Sequence, residues 1–321
     1  MKKKLKVAVV GLGRMGKFHL EVLSKMRNVK IVCALTKHDV NEEKSNLLLK
    51  YKIKKHYTSI YKMVNNENID AAFVQPSVQD VFKTTKILLN RNINCLIEKP
   101  PGLSLEQSQT LKKIINKRKL IHIIGMQRRF YSNILKIKSY EKKLGKMYSL
   151  SMQAHERFDD IKKKKKFTNK VLKKWMYANG IHMIDLLNSF SKSKPKKIFS
   201  ISKKINENIK NSFNAIIEFK NGITANYLSN WKSIGGWSIN LYYLNGVIEI
   251  KPIEKTVIKF NDGEEIEIKK TLIDEKFKPG LYLQNKMFIE ACLNKNKKIS
   301  YPAATIDDAI SAIKLINKFT A

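Results

Sequence analysis

Gly11, Gly13 and Gly16 stand in the run Gly11-Leu12-Gly13-Arg14-Met15-Gly16 and give the spacing G-x-G-x-x-G. A buried run precedes it and an amphipathic stretch follows, which is the context in which this spacing binds a dinucleotide. Gly11 would make the tight turn. Gly13 would let a pyrophosphate approach the backbone, and Gly16 would let the helix pack close to the sheet. The free N–H groups and positive end of that helix would meet the phosphates. About 20 residues on, an acid would bind the ribose 2′-OH and favour NAD. Here the run reads Leu35-Thr36-Lys37-His38-Asp39. Thr36 takes the expected position, Lys37 and His38 suit a 2′-phosphate, and Asp39 comes three residues late. The expectation therefore tilts to NADP.

Glu98-Lys99-Pro100 carries the strongest further signal in the first part of the chain. Lys99 follows a buried run and precedes two prolines, so its backbone is tightly placed. His182 and Asp185 stand three apart and share a helix face; taken alone, His182 reads better as a satisfied interior histidine than as a catalytic one. Arg128, Arg129 and Tyr131 are open to two readings, contact with an anionic substrate or capping of a domain junction. Trp175, Trp231 and Trp237 either stack on a sugar or base or pack in a core, with Trp175 the nearest of the three to His182 in sequence. The six histidines show no ligand spacing, so no metal is expected. Cys33, Cys95 and Cys292 form no CxxC pair, which excludes a zinc ribbon and a disulfide framework and fits a reducing compartment.

These residues need particular elements to hold them. Short apolar runs alternate with amphipathic stretches in the first 125 residues. Strands are expected at Leu5–Val10, Val29–Leu35, Ala71–Val74, Asn94–Ile97 and Ile121–Met126. Helices are expected at Met15–Met26, Asn41–Lys50, Val78–Leu89 and Leu105–Arg118, the last opened by Ser104 as N-cap. This alternation implies a parallel sheet with right-handed crossovers. The remainder has a helix over Lys174–Phe190 and a strand-rich block from Lys197 to Lys269. Turn signals stand at Asn221-Gly222, Gly235-Gly236, Asn245-Gly246 and Asp262-Gly263, and two helices close the chain. The fold class expected is α/β, a Rossmann domain over residues 1–125 and an α/β domain with a large, mostly antiparallel open sheet over 126–321.

Composition narrows the function. The 321 residues carry a formal net charge of +36, yet 43% are hydrophobic and only seven are Pro, which suits a folded chain. Of the 63 basic residues, 56 are Lys and seven are Arg, the side chain suited to bidentate contacts with bases. The basic excess runs through both halves. No nucleic acid is therefore expected as partner; the lysines read as base composition of the genome, with steering of anionic substrates as a secondary effect. Lys2, Lys3 and Lys4 before Val7–Val10 resemble the start of a signal peptide, but the apolar stretch is short and holds Gly11 and Gly13. No run reaches the ~20 apolar residues of a membrane span. A cytoplasmic chain with no membrane partner is expected.

The chain resembles the glucose–fructose oxidoreductase / inositol dehydrogenase family (Gfo/Idh/MocA). The resemblance rests on Gly11–Gly16 with His19 after it, Pro76, Glu98-Lys99-Pro100, Arg129-Phe130 and Gly180-Ile181-His182-Met183-Ile184-Asp185, and covers essentially the whole chain. It implies an NAD(P)-dependent oxidoreductase with its active site between the two domains, acting on a sugar or nucleotide-sugar type of substrate; the basic charge leans this toward a substrate with an anionic group. It also implies a homodimer or homotetramer formed through the open sheet. Lys99 matches the family's catalytic lysine and His182 its acid/base histidine. Asp185, Tyr177, Asn179, Arg129 and Trp175 are the substrate-contact candidates. Gly11, Gly13, Arg14, Met15, Gly16, Thr36, Lys37, Pro76, Glu98 and Lys99 are the cofactor-contact candidates. Two departures stand out: Ala178 replaces the aspartate usual four residues before the histidine, and Asp80 replaces a histidine. The alternative they leave open is a catalytically weak dinucleotide-binding regulator.

Overall fold

The computed structural model describes residues 4–294 and 299–321. Lys2 and Lys3 of the basic start lie outside the described residues. The chain divides into two compact units, Met1–Phe130 with Ile273–Ile310, and Tyr131–Leu272 with Ser311–Ala321.

The first unit is built on six parallel strands: β1 (Leu5–Val10), β2 (Val29–Leu35), β3 (His56–Tyr57), β4 (Ala71–Val74), β5 (Asn94–Ile97) and β6 (His122–Ile124). Their order is β3-β2-β1-β4-β5-β6. β1, β4 and β5 are almost wholly buried, as a parallel sheet covered on both faces requires. Five helices form the crossovers: α1 (Arg14–Leu23), α2 (Glu42–Lys50), α3 (Ile60–Asn66), α4 (Val81–Asn90) and α5 (Leu105–Arg118). Ser104 caps α5 as expected, its Oγ accepting the Gln107 N–H. β3 and α3 escape the sequence reading, because β3 has only two residues and α3 two turns. The strand order reverses between β1 and β4, which opens a crevice at their carboxyl ends.

The expected boundary at residue 125 is shifted and the division is not linear. The helix Leu281–Leu293, expected in the second domain, belongs to the first unit. It packs on α1, β1 and β5, and Phe288 meets Phe73 of β4 edge-on at 5.5 Å. This apolar contact is long-range in sequence, so periodicity does not reveal it.

The second unit holds eight strands: β7 (Met147–Arg157), β8 (Pro195–Lys203), β9 (Ser212–Phe219), β10 (Thr224–Asn230), β11 (Lys232–Tyr243), β12 (Gly246–Ile250), β13 (Thr256–Phe260) and β14 (Glu265–Ile268). Their order is β14-β13-β12-β11-β7-β10-β9-β8, and every pairing is antiparallel except β7 with β10. Alternation puts Leu150, Met152, Ala154, Tyr227, Ile239 and Leu241 on a buried face. Phe199 and Ile216, paired across β8 and β9, are exposed on the other face. The turns at Asn221-Gly222, Asn245-Gly246 and Asp262-Gly263 form as expected. Gly235-Gly236 instead lies within β11, where the register with β7 shifts in a bulge. The lysine run Lys162–Lys166 begins in the helix Phe158–Lys163; Lys162 pairs with Asp159 and Glu207. Among the described residues no helix is long and apolar enough to cross a membrane.

Within the first unit Arg129, only 5% exposed, donates to Asp308 at 3.1 Å. Burial works to raise the Asp308 carboxyl, but Arg129 and the Thr305 hydrogen bonds outweigh it and hold it below the usual value of 3.8. A depressed carboxyl adds stability that is present above its unfolded value and lost as the pH falls through the folded one. Asp308→Asn should therefore cost about 1–3 kcal/mol at pH 7, because Arg129 stays buried without this anion. In urea titrations the difference from the native chain should shrink as the pH is taken below 3.8. A penalty independent of pH would refute the ion pair's role.

Candidate functional site

The glycine turn sits at the β1/β4 crevice. Gly11 donates to Leu35 O at 2.7 Å, and Gln75 donates to Val10 O at 2.8 Å, so the ends of β1, β2 and β4 are drawn together. Gly11 has φ +96°, and a Cβ there would lie 2.3 Å from the Gln75 carbonyl oxygen and 2.9 Å from Pro76 N. A Cβ on Gly16 would lie 2.0 Å from the Gly11 carbonyl oxygen. These two glycines are thus demanded by backbone packing. Gly13 is different: a Cβ there would meet nothing within 4 Å. It is the N-cap of α1 and supplies no side-chain cap. The open space at Gly13 and the absence of a side-chain cap at the start of α1 leave room there for a pyrophosphate. Arg14 is exposed beside it, and Met15 packs back against the core.

Around this turn the expected ribose residues are occupied to different degrees. Thr36 is buried, its hydroxyl donating to His38 O at 2.6 Å and standing 2.7 Å from His56 Nε2. With that proton committed, the His56 Nε2–H must be the donor to Thr36. Lys37 is 65% exposed and 3.6 Å from Asp80, which also accepts the Ser77 hydroxyl. The position expected to read the ribose thus offers no carboxylate, while Lys37 remains reachable.

Glu98 ends β5 in a buried position, and its Oε2 accepts the Lys99 N–H at 3.2 Å. Lys99 itself is half-buried. His19, on the inner face of α1, is fully buried, 3.8 Å from Glu98 Oε1 and 5.4 Å from the Phe73 ring. Gln75 is buried close to the same turn. The structure thus groups Gly11, Gly16, Gln75 and Pro76 at one strand end and Glu98, Lys99 and His19 at the next.

The second unit gathers the other candidates on one helix. The sequence predicts a helix over Lys174–Phe190; the structure has a π-helical turn at Met176–Gly180 leading into an α-helix at Ile181–Ser191. His182 and Asp185 are both buried there, and the His182 ring lies 6.5 Å from that of Trp237. Asn179 donates to Glu156 Oε1 of β7 at 2.6 Å. Tyr177 hydrogen-bonds Asn317. Trp175 is buried in an aromatic group with Phe158 and Phe167, at 6.0 and 5.1 Å. Trp231 packs against Phe158 and Phe213. Sequence reasoning missed Glu156. Its signal is the inward row Leu150, Met152, Ala154, Glu156, in which the fourth member is an acid on an apolar face.

The cysteines offer no nucleophile. All three are buried free thiols, and burial pushes Cys33 and Cys292 up to about 12. Among the described residues no three acids, histidines or cysteines gather as a metal site.

With this geometry in place, comparison with known proteins decides the family. Residues 5–126 match the oxidoreductase family with an NAD-binding Rossmann fold, and residues 139–249 match the Gfo/Idh/MocA C-terminal domain. The chain belongs to the Gfo/Idh/MocA family. It is 26% identical over 193 residues to glucose-6-phosphate 3-dehydrogenase of Bacillus subtilis, covering 57% of this chain and 52% of that protein. It is 28% identical over 135 residues to myo-inositol 2-dehydrogenase of Thermotoga maritima, covering 42% and 40%. The chain thus spans about half the length of the curated relatives it matches. Among solved structures, UDP-N-acetylglucosamine 3-dehydrogenase from Acidithiobacillus ferrooxidans superposes with a TM-score of 0.78 at 15% identity, over 99% of this chain and 97% of the other. Apo scyllo-inositol dehydrogenase from Lactobacillus casei gives 0.78 at 19% identity, over 100% and 96%. At these identities the structural likeness speaks to the fold. The Gfo/Idh/MocA assignment makes the glycine turn part of an NAD-binding Rossmann domain.

The contrast between two glycines tests that turn. Gly13→Ala has space and an ordinary φ, so its Tm should stay within about 2 °C of the native value. Its dinucleotide affinity, read by calorimetric titration, should fall at least about tenfold, since the added methyl occupies the phosphate approach. Gly16→Ala must displace the Gly11 carbonyl and should cost about 1–3 kcal/mol of stability. Equal affinity in Gly13→Ala and the native chain would remove the pyrophosphate from this place.

Proposed function

We propose that this chain is an NAD(P)-dependent oxidoreductase acting on a CH–OH or keto carbon of a sugar or nucleotide-sugar type of substrate. The observation that carries the reading is the open helix N-terminus at Gly13, set at the β1/β4 switch point beside the strand end that holds Lys99. The substrate class follows the names of the curated relatives, a glucose 6-phosphate and an inositol dehydrogenase. A substrate bearing an anionic group suits the net charge of +36.

A nicotinamide held at this site would supply the hydride chemistry at the substrate carbon. Gly13, Arg14, Met15 and Gly16 hold the pyrophosphate through the first turn of α1. Pro76 and Glu98 line the strand ends, and Glu98 fixes the Lys99 backbone through its N–H. The Lys99 ammonium binds the reacting oxygen and stabilises the negative charge that develops on it. His182 takes the hydroxyl proton in oxidation and returns it in reduction. Asp185, Tyr177, Asn179, Arg129 and Trp175 remain the proposed substrate contacts. The exposed apolar side of β8 and β9, with Phe199 67% and Ile216 58% exposed, supports assembly as a homodimer or homotetramer.

A second reading, a regulator that binds the dinucleotide without turnover, rests on Ala178, which leaves the turn before His182 without an acid of its own. Absorbance of the reduced nicotinamide separates the two when the protein is mixed with each cofactor and a panel of sugars and sugar phosphates. The enzyme reading expects a change with at least one substrate, abolished about 10²–10⁴-fold in Lys99→Ala and in His182→Ala. Cofactor binding with no change across the panel supports the regulator. Near-native turnover in both variants would end the proposed roles.

For the cofactor, we favour NADP, because Thr36 replaces an acid and Lys37 is exposed. Lys37→Ala should weaken NADP binding by roughly tenfold and leave NAD binding within about twofold. A native chain that prefers NAD would reverse the preference.

A further inference from the structure

An imidazole that takes a proton in a buried site needs a negative charge near it, to fix its tautomer and to stabilise the imidazolium. The turn before His182 supplies none, since Met176, Tyr177, Ala178 and Asn179 carry no charge. Helical side chains lean toward the N-terminus, so the His182 ring covers the turn of Ala178 and Asn179. Asp185 by the same rule leans over the turn of Ile181 and His182.

β7 brings a carboxylate to the π turn that precedes His182. Its inward row is apolar through Leu150, Met152 and Ala154 and then ends in Glu156, which is 9% exposed. Trp237, which contacts His182, pairs with Ala154 across β7 and β11 and so shares this face. Asn179, next to Ala178 in the chain, donates to Glu156 Oε1 at 2.6 Å. It lies in the π turn Met176–Gly180, and that bond turns it to β7. Tyr227, also on the inward face, feels the same charge; burial and Glu156 both push its phenol up. A carboxylate placed on an apolar face is costly to folding.

We propose that Glu156 is a positioning residue for His182: held by Asn179, it supplies from the neighbouring strand the negative charge that orients the imidazole and stabilises its protonated form. This inference rests on the reading of His182 as acid/base.

Glu156→Gln removes the charge and keeps the shape and the bond to Asn179. In the full chain labelled with ¹⁵N-histidine, it should move the ring-nitrogen signals of His182 and leave those of His19 and His122 in place. With whichever sugar the panel shows to be turned over, kcat should fall about 10- to 100-fold while KM stays within about twofold. Glu156→Asp should recover part of the loss. In a His182→Ala background, Glu156→Gln should cost nothing further. Unmoved His182 signals in a folded Glu156→Gln chain would overturn the proposal. So would a penalty undiminished in the His182→Ala background. Full activity in His182→Ala would instead remove the acid/base reading, and the ring signals would still report whether Glu156 acts on His182.

Discussion

Two backbone carbonyls govern the first unit. The Gly11 oxygen leaves no room for a side chain at Gly16, and the Gln75 oxygen leaves none at Gly11. These approaches clamp α1 to the ends of β1 and β4 and leave the space at Gly13 open. Parallel strands align their carboxyl ends, so the same packing that buries Val7, Val9 and Phe73 sets Gln75, Pro76, Glu98 and Lys99 beside that opening. The dinucleotide seat is a consequence of close packing at two glycines and deliberate emptiness at a third.

The second unit follows a different logic. Its sheet buries one face through simple alternation, and the residues proposed for chemistry there are exceptions to that pattern. His182 and Asp185 are polar residues on a buried helix, and Glu156 is an acid on an apolar row. Each is expensive to bury, and each stands near the π turn at Met176–Gly180, where an added residue re-aims the side chains around it. Trp175, Phe158 and Phe167 hold that turn from beneath.

Much of this was legible in the sequence where local rules and tertiary packing agree. The glycine turn, the Ser104 cap and the five longer parallel strands follow from short-range patterns, and the structure places them within a few residues. What escaped was set at long range. β7 was not read because polar residues stand on both of its faces, Gln153 and His155 on one and Glu156 on the other. Gly235-Gly236 has the composition of a turn, but its neighbours on β7 hold it in a bulged strand. The helix Leu281–Leu293 is plain in sequence, while its membership of the first unit depends on Phe288 reaching Phe73. The charge of +36 does not mark out particular site residues; many of the lysines pair with acids, as Lys162 and Lys232 do with Asp159.

The central claim is that the open N-terminus of α1 is where a dinucleotide phosphate binds. The most direct test is to titrate ¹⁵N-labelled protein with NADPH and with NADH and follow the backbone amides. The account predicts that the largest shifts fall on Gly13, Arg14, Met15 and Gly16, with smaller ones at Thr36–His38. Saturable binding that leaves the Gly13–Gly16 amides unmoved would contradict it.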